Sequence, residues 1–129
     1  MIELKHFNEI DDPLIKGLQD SILKLIDAAR DKSGTPFVIT SGLRTQAAND
    51  AQKDSVKNSA HLAGLAVDLR CSTDNELWSM LFGILNVGAR RIGIYFKESD
   101  TPGKLRPTHI HVDTATDRAQ EIIFSQMEE

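Results

Sequence analysis

The chain has four histidines, and three of them lie in two short segments that also carry aspartates. The first segment is SAHLAGLAVD, from Ser59 to Asp68, and the second is HIHVD, from His109 to Asp113. Imidazole nitrogen and carboxylate oxygen are the ligands that zinc accepts, at ~2.0–2.2 Å. Strand parity puts His109, His111 and Asp113 on one face of the second segment, with Ile110 and Val112 on the other. In LAGLAVDLR the same alternation turns Leu65, Val67 and Leu69 one way and Gly64, Ala66 and Asp68 the other. Small neighbours leave a space above Asp68. A carboxylate facing inward there is costly unless it meets a cation or a hydrogen-bond donor. A histidine from an adjoining strand would complete a metal centre. Three protein ligands plus an open position for water would make it a catalytic centre rather than a structural one. The other reading is a set of satisfied polar residues in the interior. Periodicity does not by itself make the two strands neighbours.

These segments must be positioned by the rest of the chain. A helix is expected from about Asp12 to Arg30, with Asp11 or Asp12 as cap and Pro13 at its first position. Its buried stripe is Leu14, Leu18, Ile22, Leu25, Ile26 and Ala29, and Ser33-Gly34 ends it. Pro36 to Thr40 reads as a strand, with a turn at Ser41-Gly42. An Ala-rich stretch from Thr45 to about Lys53 reads as a short helix, and Lys53 to His61 as a polar loop. Thr73 with Glu76 forms a capping box that opens a helix to about Asn86, and Gly88 is its stop signal. Trp78 and Phe82, four apart on that helix, read as packing residues. Arg91 to Phe96 and THIHVD read as strands, joined by a polar loop from Lys97 to Pro107. A last helix is expected from about Thr116 to Met127. The expected fold is therefore one α+β domain over residues 1–129, a small, mostly antiparallel sheet flanked by helices.

Composition narrows the function classes. The chain has 129 residues, 40% of them hydrophobic and 26% charged, with net charge −4. No basic stripe is present, which argues against nucleic acid as a partner. No apolar run approaches the ~20 residues of a membrane span. The N-terminal stretch lacks a secretory h-region, so the expectation is a chain made in the cytoplasm. Its single cysteine, Cys71, excludes an internal disulfide and falls on the apolar side of its strand. A monomer is expected.

SAHLAGLAVD resembles the first zinc motif of the D-Ala-D-Ala carboxypeptidase and L-alanyl-D-glutamate endopeptidase family, and HIHVD resembles the second. TSGLRT, from Thr40 to Thr45, is similar to that family's Ser-Gly-Tyr-Arg-Ser segment. GARRIGIYF followed by HIHVD is similar to its phage-associated branch. The resemblance covers roughly Val38 to Asp113 and implies a hedgehog/DD-peptidase fold. It implies a Zn2+ ion held by His61, Asp68 and His111, with Arg44 on the substrate carbonyl and Ser59 near substrate. The substrates implied are peptidoglycan stem peptides, with bonds to D-residues among those cut. An enzyme of that kind acts on the cell wall after release, or as part of a phage. Many members carry a glutamate as general base three residues before the second zinc histidine, where this chain has Thr108. The candidates for that role are His109, Asp113, Glu98 and Asp100, with Asp113 alternatively orienting His111. Thr108 also admits a second reading, a zinc-bearing binding or structural module of a phage particle that has lost catalysis.

Overall fold

The computed structural model describes residues 2–51 and 59–128. A 3-10 turn at Pro13–Ile15 precedes helix α1 (Asp20–Ser33), strand β1 (Ile39–Ser41) and the short helix α2 (Gln46–Asp50). Strand β2 (Ala66–Arg70), helix α3 (Asp74–Asn86) and strands β3 (Arg91–Glu98), β4 (Leu105–Asp113) and β5 (Ile122–Met127) follow. The sheet order is β1-β2-β4-β3-β5, antiparallel throughout except that β5 runs parallel to β3. The α+β class and the mostly antiparallel sheet agree with the sequence. No described helix is long and apolar enough to cross a membrane.

The long N-terminal helix expected from the sequence is broken. Gly17 adopts φ +81°, a left-handed conformation that ends helical propagation. The chain there crosses to the turn before β2, where the Gln19 amide donates to the Gly64 carbonyl at 2.8 Å. Asp12 does not cap by its side chain, which instead accepts from the Asn8 amide. Leu14 leaves the stripe and is exposed, whereas Ile22, Leu23, Ile26 and Ala29 are buried. The α3 capping box is present: Thr73 accepts from the Glu76 amide, and Glu76 accepts from the Ser72 amide and the Thr73 hydroxyl.

The expected C-terminal helix is instead β5. Ile122, Phe124 and Gln126 alternate in burial with the exposed Ile123, Ser125 and Met127. That period of two, with β-branched residues at its start, suits a strand, and parallel pairing with β3 overrides the helix formers around it. Trp78 and Phe82 are also placed differently from expectation. They stack on each other at 5.6 Å on the outer side of α3, and Trp78 is 71% exposed. The buried side of α3, with Met80, Gly83 and Ile84, faces α1 instead.

α1 and α3 cover one face of the sheet, and Val67, Leu69, Ile92, Ile110 and Val112 fill the core with the apolar sides of both helices. Cys71 is part of that core. Burial, helped by the charge of Glu76, pushes its thiol up to about 11. The native protein is therefore expected to leave Cys71 unmodified by a disulfide-exchange reagent at pH 8, and to react fully once unfolded. Rapid stoichiometric labelling of the native chain would contradict this packing.

Candidate metal centre

The opposite face of the sheet carries the chemistry. β2 and β4 are paired so that Asp68 stands directly across from His111 and Arg70 across from His109. His61 arrives from the turn before β2, where its own amide donates to the Ser59 hydroxyl at 3.3 Å. Ser59 thus shapes the turn that presents His61. Among the described residues, His61, Asp68 and His111 are the group that could hold a metal, with one donor atom from each lying within 4.8 Å of the others. The side chain of His61 is 3% exposed, and those of Asp68 and His111 12% each.

The hydrogen bonds behind the histidines decide which nitrogens face inward. His61 Nδ1 lies 2.8 Å from the Gly42 carbonyl, which only accepts, so Nδ1 carries the proton. His111 Nε2 lies 2.7 Å from Asp113 Oδ2 and donates to that carboxylate. The remaining nitrogens, His61 Nε2 and His111 Nδ1, point at Asp68 Oδ1 at 3.3 and 3.1 Å. A metal ion taking the place of the protons between them would meet three donors, the two histidines with their outer nitrogens already committed. Two imidazoles and one carboxylate in that state suit a zinc ion.

The charges around this cluster are coupled. Burial disfavours ionised Asp68, but hydrogen bonds from His111 and His61 outweigh it and hold the carboxyl below the usual range. Burial likewise opposes a charged His111, but hydrogen bonds to Asp113 and Asp68 push it up to about 8. Asp113 is buried, yet its bond to His111 and the nearby Arg91 keep its carboxyl low.

Arg44 follows β1 and reaches the same carboxylate, with Nη2 3.4 Å from Asp68 Oδ2. Its guanidinium is held by Ser41 Oγ and by Oδ1 of the fully buried Asn49, each at 3.3 Å. Asn49 lies on α2, whose first turn is capped by Thr45. Nothing in the sequence around Asn49 signals that contact.

His109 lies beside the cluster, with Nε2 4.0 Å from Asp68 Oδ2. Its ring stacks on Tyr95 at 4.1 Å. Burial lowers its pKa more than the negative charge of Asp68 raises it. Thr108 donates to the Tyr95 carbonyl, and its hydroxyl oxygen also lies 3.3 Å from His109 Nδ1. Two further neighbours come from β5 and the residue after it, where a helix to about Met127 was expected. Phe124 packs over Gly93 with its ring centre 6.0 Å from that of His111, and Glu128 Oε2 lies 3.9 Å from His109 Nδ1. Alternation in IIFSQM was the signal that could have found them.

Glu98 and Asp100 are not brought to this cluster. Glu98 pairs with Leu105 at the far end of β4, roughly 20 Å along the strand from His111. There it accepts from the Gly103 amide and helps close the β3–β4 hairpin. Asp113 is at the cluster, but behind His111 rather than across the open space from it.

The family profile for Peptidase M15 matches residues 6–113. No curated protein and no solved structure matches the chain. The matched span contains His61, Asp68, His111 and Arg44, and stops before β5.

Proposed function

This chain belongs to the M15 family of zinc peptidases, and on that premise we propose that it hydrolyses peptide bonds in the stem peptides of peptidoglycan. The observation that carries the reading is the convergence of His61, Asp68 and His111 with their outer nitrogens already anchored. Bonds to D-residues are the proposed targets, in line with the family's motifs. Likeness of GARRIGIYF and HIHVD to the phage-associated branch supports an enzyme made in a cytoplasm and acting on the wall after release.

Held by His61, Asp68 and His111, a zinc ion would supply a Lewis acid able to lower the pKa of a water toward ~7 and to polarise the scissile carbonyl. Arg44, already fixed by Ser41 and Asn49, offers its guanidinium to the oxygen that becomes negative as water adds to the carbonyl carbon. His109 is the proposed base. Its depressed pKa keeps the imidazole neutral near pH 7, ready to accept a proton. The proton taken from water passes to the leaving nitrogen as the C–N bond breaks. Asp113 keeps the His111 ring oriented from behind.

The test is a digest of purified muropeptides read by mass spectrometry. New amino and carboxyl termini are expected with the wild type. With Arg44→Ala, cleavage is expected to slow roughly 10²–10³-fold, the usual cost of one oxyanion donor, while zinc stays bound. Unchanged muropeptides with zinc-loaded wild type would overturn the peptidase reading. They would favour the non-catalytic module that Thr108 allows.

A further inference from the structure

The metal ligands are backed by a charged residue that the peptidase reading leaves unused. Arg91 opens β3 beside the end of β4, and its Nε donates to Asp113 Oδ1 at 2.8 Å. The Ala115 amide donates to the same oxygen at 3.1 Å. The other carboxylate oxygen, Oδ2, holds His111 Nε2. Both oxygens are therefore fixed, and the plane of the carboxylate with them. Arg91 is itself fixed at its far end, where Nη1 donates to the Ala119 carbonyl at 2.6 Å. Little water reaches the pair: side-chain exposure is 12% for Arg91 and 1% for Asp113.

We infer that Arg91 is a positioning residue for zinc. It clamps Asp113, which in turn aims His111 Nδ1 at the metal position. The inference rests on the zinc reading above. Its physical basis is the geometry of the clamp. A carboxylate held on one side only can rotate about its Cβ–Cγ bond and let the imidazole swing with it. Removing one partner of a buried ion pair also leaves the other charge to find a new donor, and the donors that remain to Asp113 among the described residues are the Ala115 amide and His111. A lysine cannot replace the clamp, because one ammonium does not span Asp113 and Ala119 as a planar guanidinium does.

The experiment is a zinc competition titration against a chromophoric chelator, which reads affinity without any substrate. Arg91→Met is expected to weaken zinc binding by about 10–100-fold, the usual effect of losing outer support for a metal ligand. Arg91→Lys is expected to fall between it and wild type, and carries the test if Arg91→Met does not fold. Two comparisons separate this role from a general loosening of the 114–121 loop. Arg90→Ala removes the neighbouring, exposed Arg90–Glu121 bridge and is expected to leave zinc affinity unchanged. In an Asp113→Asn background, Arg91→Met is expected to add no further loss, because its route to the metal is already cut.

Zinc affinity within about twofold of wild type in both Arg91 variants would overturn the inference. So would an equal loss in Arg90→Ala, or an undiminished loss in the Asp113→Asn background. A wild-type chain that takes up no zinc overturns the metal reading and this inference together. Zinc bound equally by the wild type and the Arg91 variants overturns this inference alone.

Discussion

His111→Ala is expected to abolish stable zinc binding and, with it, peptide hydrolysis. The imidazole supplies one of three donor atoms and also links the cluster to Asp113. Elemental analysis of protein purified without a metal-affinity tag should give about one zinc per chain for the wild type, since a single tetrahedral centre is expected. The variant should give almost none. Zinc polarisation of carbonyl and water contributes several kcal/mol to the transition state, so turnover should fall by roughly 10³-fold or more. Circular dichroism of the variant guards against misreading a folding defect as metal loss. Absence of zinc from the wild type after incubation with excess metal would end the zinc reading, and would leave His61, Asp68 and His111 as a hydrogen-bonded polar cluster.

Gly83→Ala is expected to destabilise the fold, and the sign of the change is the test. In an unobstructed helix interior, alanine is favoured over glycine by about 1 kcal/mol. At position 83 a methyl group would sit 2.3 Å from the Ala29 carbonyl oxygen and 2.7 Å from Ser33 Cβ. Neither obstacle is a side-chain tip that can swing aside, because both belong to α1, whose other side is locked into the core by Ile22, Leu23 and Ile26. α1 and α3 would have to move apart and open the packing between them. Overpacking of this kind costs about 1–3 kcal/mol, enough to outweigh the propensity gain. Net of that gain the loss is up to about 2 kcal/mol, which for a domain of this size is a fall of up to roughly 10 °C in Tm. A variant as stable as wild type, or more so, would mean that the two helices do not approach as closely as described.

The sequence made the centre of the site legible and left its rim obscure. His61, Asp68 and His111 sit in compact motifs, and strand parity alone assigned Asp68 and His111 to faces that the sheet then brings together. Arg44 was legible only through resemblance to a known segment, since nothing in the spacing of TSGLRT shows that the turn folds back onto Asp68. The break at Gly17 had a signal, an isolated glycine within a helical pattern. It was outvoted by the apolar stripe around it. β5 was missed because EIIFSQMEE satisfies helix propensity and strand alternation equally, and pairing with a distant strand decided between them. Phe124 and Glu128 were lost with it. A polar loop folded over the site would have brought Glu98 and Asp100 to it. The β3–β4 hairpin, with Glu98 paired to Leu105 at its far end, holds them away. Trp78 and Phe82 show that helical spacing identifies residues sharing a side of α3, but not which side meets α1.

The pairing of Asp68 with His111 has a further consequence for how the chain finds its structure. A one-residue slip of β2 against β4 would turn the two side chains to opposite faces, with Val67 or Leu69 exposed in exchange. An ion held by both residues is therefore a cross-link that can form in only one alignment, and it closes a loop between positions 43 residues apart. Such a staple penalises misaligned pairings and the unfolded chain alike. In a protein of this family the ion would then act as a proofreader of strand alignment as well as a reagent, and stripping it with a chelator would speed unfolding through the β2–β4 seam.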